Sequence, residues 1–243
     1  MEFPRSFALP AGLFGPGFAA GAERELGVAC GLAWVRVGVE AQPVGEGADG
    51  GGRVDVGADA VGEQALDESR IETHWGYAAM KTCLDYGWMT LPHTGEWKPN
   101  AFVTRAEFAA DLARFAGIHT LYPLEGAARF SDVDLTAEDA PYLAWAADSG
   151  IVAGYDDGTF RPEKTLTREQ MAVMLARYYA RSGVTTQGSL DFADAAKISG
   201  WAVDGVSVCV GLGLVQGDSR GRFLPQSRLT RAQIASILVR MAG

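Results

Sequence analysis

The sequence predicts a mainly α-helical protein in which three helix–turn–helix repeats close into a bundle with approximate threefold symmetry. Two observations support this fold class. Landmark residues recur every 63 positions, and each copy contains a helix with a capping signal and one apolar face. The recurring landmarks are Gly87, Gly150 and Gly213; Gly95, Gly158 and Gly221; Trp97, Phe160 and Phe223; and Pro99, Pro162 and Pro225.

The N-terminal segment, residues 1–65, differs from the rest of the chain. Residues 7–22 are apolar, but Gly and Pro interrupt them and the basic start is weak, so they do not make a convincing signal peptide. Residues 34–40 and 53–56 alternate as strands would, which makes a small hairpin possible. We expect a mostly poorly ordered segment or the remnant of an upstream domain, followed by repeats at 66–128, 129–190 and 191–243.

The second helix of each repeat has the clearer start signal. A threonine precedes the helix, and a Glu or Gln follows three residues later, which predicts a capping box in each copy. The pairs are Thr104 with Glu107, Thr167 with Gln170, and Thr230 with Gln233. Apolar residues then recur at helical spacing in copies two and three, whereas Asp111 interrupts the stripe in copy one.

The first helix of each repeat has a weaker pattern. Thr73, Thr136 and Ser199 share the 63-residue register, and we expect them to be N-caps. Cys83 and Cys209 fall on the apolar face, where a small core residue is expected. In the intervening turn, an aromatic residue (Phe160 or Phe223) is expected to pin the loop to the core.

Composition excludes several classes of function. The net charge of −9 argues against a general nucleic-acid binder, and no stretch is long and apolar enough to span a bilayer. Three cysteines are too few for a disulfide framework, and the histidines lack metal-ligand spacing. An EF-hand is excluded because Lys164 stands at the closing Glu position. We expect no cofactor, no metal and no catalytic residues.

Arg105, Arg168 and Arg231 each follow a capping threonine, 63 residues apart. A cation in the first turn of a helix is mildly unfavourable, so its removal should cost little stability. Something must offset that penalty. One candidate is an internal carboxylate, such as Asp132 or Asp194; the other is an anionic ligand held by the guanidinium and the free N–H groups of the first turn. The residues alone leave both open.

Ordered motifs in residues 67–243 resemble the S-layer homology domain. Two copies carry the series well and the first is more divergent. The motifs are "FSDV" (130–133), "GIVAGYDDGTFRP" (150–162) and "LTREQ" (166–170); "FAD" (192–194), "GLVQG" (213–217), "RFLP" and "LTRAQ"; and "HWGYAAM" with "GEWKPNAFVTRAEF". The resemblance implies non-covalent attachment, at the bacterial cell surface after secretion, to a secondary cell-wall polysaccharide associated with peptidoglycan. It also implies an acidic ligand, often a pyruvate ketal of an amino sugar, and makes other surface-layer proteins candidate partners.

The family's arginine lies in grooves between repeats, which by resemblance favours the ligand over the internal carboxylate. The implied ligand-binding residues are Arg105, Arg168, Arg231, Asp132, Asp194, Gly154 and Gly217, supported by the caps Thr104, Thr167 and Thr230. Copy one departs from the pattern. Leu91 replaces the glycine and "ALDES" (65–69) lacks Phe-x-Asp, so we expect weaker binding at Arg105. Trp75 and Trp201 align with Glu138, and we expect these tryptophans to pack in the core or at the rim, the alternative being that they are platforms for a sugar ring.

Two other functions remain open at this point. The chain could be the anchor portion of a cell-surface enzyme, such as a glycan hydrolase, whose catalytic domain is not in this chain. Alternatively, the repeats could only pack against a protein partner. Residues 67–243 contain no nucleophile–base pair or supported pair of catalytic carboxylates.

Overall fold

The computed structural model describes residues 24–30, 33–39, 68–118, 121–184 and 186–243. These residues are mainly helical, as predicted. The α-helices are α1 (Tyr77–Asp85), α2 (Arg105–Phe115), α3 (Glu125–Ala128), α4 (Ala140–Asp148), α5 (Arg168–Ala180), α6 (Val203–Gly211) and α7 (Arg231–Ala242). Short 3₁₀ segments cover Glu68–Thr73, Ala195–Lys197 and Gly200–Ala202.

Two strands precede the helices. β1 (Arg24–Cys30) pairs antiparallel with β2 (Ala33–Val39), with Arg24 opposite Val39. The strand predicted over residues 34–40 is therefore confirmed, but its partner lies upstream. The second predicted strand, 53–56, falls outside the described residues.

The first helix of each repeat packs against the second helix of the preceding repeat. Thus α4 lies on α2, α6 lies on α5, and α1 lies on α7. The last pair joins the third repeat to the first and closes the ring. Each repeat therefore buries its apolar faces against its neighbours, and closure around a common axis is confirmed.

The three repeats meet through their backbones just before the second helices. Val103 N–H donates to Leu229 O at 2.9 Å, Leu166 N–H to Val103 O at 2.9 Å, and Leu229 N–H to Leu166 O at 3.3 Å. These hydrogen bonds form a closed cycle of three residues spaced by the repeat interval. The side chains of all three residues are fully buried, so the axis is part of the core.

The capping boxes of α2, α5 and α7 are present as predicted. None of the N-caps predicted for the first helices makes a side-chain cap hydrogen bond, although Ser199 directly precedes the 3₁₀ segment that leads into α6. α1, α4 and α6 begin at Tyr77, Ala140 and Val203, four residues after the expected caps. The hydroxyl of Thr136 is bonded instead to the side chain of Asp134 at 2.7 Å, because an Asp two residues upstream offers a local turn that competes with the helix.

The predicted core residues are buried. Phe160 and Phe223 have no exposed area, and neither do Cys83 and Cys209. Burial raises the pKa of each of these thiols to about 12, which keeps them protonated. Asp111, the interruption in the α2 stripe, is also buried, with 5 % of its surface exposed.

Candidate functional site

Each of the three predicted arginines extends to the loop of the next repeat around the ring. Its Nε donates to the carbonyl of the aromatic landmark, and its Nη2 donates to a carbonyl earlier in the same loop. The two distances are 2.9 Å to Phe160 and 3.4 Å to Ala153 for Arg105, 2.8 Å to Phe223 and 3.1 Å to Gln216 for Arg168, and 3.2 Å to Trp97 and 2.7 Å to Thr90 for Arg231. The arginines therefore join successive repeats.

The first-turn N–H groups expected to help hold a ligand are occupied. The N–H of Arg168 donates to Ser227 O at 3.0 Å, and that of Glu169 donates to Pro225 O at 3.0 Å. α2 and α7 make the same contacts with their neighbouring loops. Two N–H groups of each helix start are therefore used between repeats, so an anion would have to rely on side chains.

Asp132 and Asp194 do not form ion pairs with the arginines. The two carboxylate oxygens of Asp132 accept the N–H groups of Phe160 and Arg161, both at 2.7 Å. Asp194 does the same for Phe223 and Leu224, at 2.7 and 2.9 Å. Arg161 and Leu224 have positive φ values of 59° and 58°, a conformation that is costly for side-chain-bearing residues. The aspartates thus hold the loops whose carbonyls receive the arginines.

Gly154 is required by close packing. A Cβ atom there would lie 2.8 Å from the Phe130 ring and 2.8 Å from Thr159 O. Gly217 lies in the equivalent loop of the third repeat. The Leu91 loop of the first repeat contacts Arg231, not Arg105. The divergent loop on which the expectation of weaker binding at Arg105 depends therefore lies beside Arg231, because each arginine contacts the loop of the following repeat.

A second set of arginines was missed in the sequence, although it has the same 63-residue spacing. Arg177 donates to Ile151 O at 3.4 Å, and Arg240 donates to Leu214 O at 3.0 Å. These carbonyls lie in the loops that receive Arg105 and Arg168. The third member, Arg114, instead bonds to the carboxylates of Asp111 and Asp139.

The repeat register defines three equivalent grooves, each made from all three repeats. Groove A contains Arg105, Gln170, Met174, Arg177 and Trp201; groove B contains Arg168, Gln233, Ile237, Arg240 and Trp75; groove C contains Arg231, Glu107, Asp111, Arg114 and Glu138. All five groove B residues line one shallow depression. Beside groove A, Arg177 and Trp201 line an open pocket of about 390 Å³, together with Asp204. In groove C, Glu138 lies 3.9 Å from His93 of the Leu91 loop.

Grooves A and B are cationic. Burial lowers the pKa of Arg168 to about 10, and the nearby Arg240 acts in the same direction. Burial likewise lowers the pKa of Arg105. Among the described residues, neither Arg168 nor Arg240 has a carboxylate within ion-pair distance. Asp218 lies in the groove B loop, but its oxygens accept hydrogen bonds from Arg220 and Arg222.

Groove A has a second feature, a tyrosine surrounded by cations. The guanidinium carbons of Arg161 and Arg105 lie 3.9 and 5.2 Å from the centre of the Tyr155 ring, and Lys164 Nζ lies 5.6 Å from it. Gln170 Nε2 donates a hydrogen bond to the Tyr155 hydroxyl at 3.5 Å. Three cationic side chains therefore lie around one aromatic ring, and Arg161 among them is paired with Asp157 at 2.9 Å.

The two tryptophans are at the surface. Trp75 is 53 % exposed and Trp201 is 60 % exposed, so assigning them to the core is wrong and assigning them to the rim is right. An exposed indole beside a cationic groove offers an apolar face to a flat ligand such as a sugar ring.

The profile of the S-layer homology domain matches residues 71–109, 129–172 and 191–235, which together exceed half of the chain. The chain belongs to the S-layer homology family. The three matches coincide with the three repeats that form the grooves. In the described part of the chain, no helix is long and apolar enough to cross a membrane.

Several curated proteins share these S-layer homology repeats. An endoglucanase of a Bacillus species is 28 % identical over 69 % of this chain and 18 % of its own length. A cellulosome-anchoring protein of Acetivibrio thermocellus is 28 % identical over 60 % of this chain and 33 % of its own length. A surface-layer 125 kDa protein of Lysinibacillus sphaericus is 28 % identical over 56 % of this chain and 11 % of its own length. The chain thus spans at most a third of each of these relatives.

Proposed function

We propose that this protein is a non-covalent cell-wall anchor that binds an acidic secondary cell-wall polysaccharide in grooves A and B. The observation that carries the proposal is the convergence of two arginines on one loop, beside an exposed tryptophan, with no paired carboxylate in the part of the chain that the structure describes. Like charges repel at short distance, so such a pair favours an anion that bridges them. Each of the two grooves combines an apolar surface with two arginines. A sugar that bears a carboxylate matches both features, so it is the preferred ligand.

The groove B side chains divide the recognition between them. Arg168 uses Nε and one Nη2 donor on loop carbonyls, and a guanidinium has five N–H donors in a planar fork. The remaining donors, together with Arg240, suit a carboxylate through charge-assisted hydrogen bonds. Trp75 supplies a face for the sugar ring. A pyruvate ketal on an amino sugar carries both the charge and the ring.

The relatives support the anchoring role by name. One is called a cellulosome-anchoring protein and another a surface-layer protein, whereas the endoglucanase is matched over only 18 % of its length. The chain works at the bacterial surface after secretion, and other surface-layer proteins are candidate partners. The name of the endoglucanase favours a second possibility, that these repeats form the anchor portion of a longer surface enzyme.

Binding to purified cell-wall sacculi tests the proposal. The protein should be retained by intact sacculi, released as salt rises because the charges are partly exposed, and not retained after the polysaccharide is removed. Arg240→Gln should weaken retention, whereas Lys197→Gln, at an exposed lysine outside the grooves, should not. Equal retention by stripped sacculi would refute the proposal, and equal retention of the Arg240→Gln variant would refute binding in groove B.

A further inference from the structure

Groove C differs from grooves A and B at three equivalent positions. Glu107 stands where the other grooves have Gln170 and Gln233. Asp111 stands where they have Met174 and Ile237, and Glu138 stands where they have the two tryptophans. Each difference replaces a neutral side chain with a carboxyl group.

The buried carboxyl changes the contacts of the second arginine. In grooves A and B this arginine donates to a loop carbonyl. In groove C, Arg114 turns to Asp111 at 3.3 Å and to Asp139 at 2.8 Å, with 11 % of its side chain exposed. Arg114 is therefore already paired with two carboxylates.

The first arginine of groove C also interacts with Asp111. Burial raises the pKa of Asp111 to about 7, while the positive charges of Arg114 and Arg231 both act to lower it. Arg231 keeps its contacts with the Leu91 loop, so the groove is built in the same way as the other two. Groove C thus differs from the other two grooves in its charge and not in the contacts that join the repeats.

We propose that groove C is closed to acidic glycans because Asp111 occupies the place that a ligand carboxylate takes in grooves A and B. Glu107 and Glu138 add repulsion at the wall and rim of the groove. The protein then has two acidic-glycan sites and not three, and Asp111 is the residue that determines this specificity. This inference rests on the proposed function of grooves A and B.

The probe is the methyl glycoside of an N-acetylated amino sugar carrying a pyruvate ketal, with its methyl ester as the neutral control. Isothermal titration at pH 8, where Asp111 is mostly charged, should give two sites for the full chain. Exchanging the groove C residues for those of the other repeats, in a Glu107→Gln, Asp111→Met and Glu138→Trp variant, should raise the number to three. Asp111→Asn, which keeps the shape, should restore part of the third site.

A measurement on the unaltered protein keeps the test independent of how the variants fold. In NMR spectra the side-chain Nε–H signals of Arg105 and Arg168 should shift with the probe, and that of Arg231 should not. Three sites in the unaltered protein, or a shift of Arg231 equal to that of Arg168, would overturn the closure of groove C while leaving the proposed function intact. Absence of any binding would instead overturn both.

Discussion

Replacing Arg168 by alanine should destabilise the bundle, although a cation at a helix start predicts little cost. The variant loses two hydrogen bonds from a charged donor, each contributing about 1.5–3 kcal/mol. Some of this loss is offset, because the pKa of about 10 shows that burying the charge costs roughly 3 kcal/mol, at about 1.4 kcal/mol per pKa unit. We therefore expect a net loss of up to about 3 kcal/mol in the free energy of unfolding.

Thermal and urea denaturation measure this loss. For a unit of this size, about 2 kcal/mol lowers Tm by about 4–8 °C. Arg240→Ala is the matched control in the same groove, since it removes one carbonyl contact from a side chain that is only part-buried, and its Tm should fall less. If the Arg168→Ala protein has the same Tm as the wild type, the contacts that Arg168 makes between repeats do not stabilise the ring.

Two further predictions concern the caps and Asp111. Thr230→Ala should lower the free energy of unfolding by about 1 kcal/mol and leave binding in groove B unchanged. Urea denaturation measures the first effect, and ligand titration of the folded variant measures the second. A loss of affinity in the folded variant would contradict the separation of cap from site. Because folding raises the pKa of Asp111 from 3.8 to about 7, the native state binds the extra proton and stability should fall as pH rises from about 4 to 7, then level off. Asp111→Asn should remove most of that fall, since burial also raises the pKa of Asp139, and a pH profile of Tm identical to the wild type would contradict the assignment.

The local features of the fold were predictable because their causes are local. A capping box uses residues three apart, so Thr167 and Gln170 identify a helix start without any knowledge of the fold. The 63-residue register then fixes the number of repeats, and the apolar stripes require that they pack together. Closure into one ring followed from the same argument.

Contacts between repeats were not predictable from a single copy. A repeat interval shows that Arg105 and Arg231 are equivalent, but it does not show whether an arginine contacts its own loop or the next one. For this reason the sequence alone associates the divergent Leu91 loop with Arg105, whereas the structure places it against Arg231. The first-helix caps failed for another reason, since short polar side chains such as Thr136 also stabilise turns.

The second arginine set could have been found from the sequence. Arg114, Arg177 and Arg240 keep the repeat interval as strictly as the Thr-Arg pairs. They were missed because an arginine in the last turn of a helix has a sufficient explanation in the helix dipole. The pairing of Arg114 with the buried Asp111 requires the packed structure, because the sequence shows only an interrupted apolar stripe.

The departures of the first repeat from the common pattern affect one groove and leave the other two unchanged. That repeat contributes Arg105 to groove A, which matches both other copies, and Trp75 to groove B, which matches Trp201. Its departures, Leu91 and Asp111, lie in groove C. The second repeat departs in the same groove, through Glu138. Since each groove takes parts from all three repeats, changes in two repeats converge on one site, and the ring keeps its contacts while two grooves stay cationic.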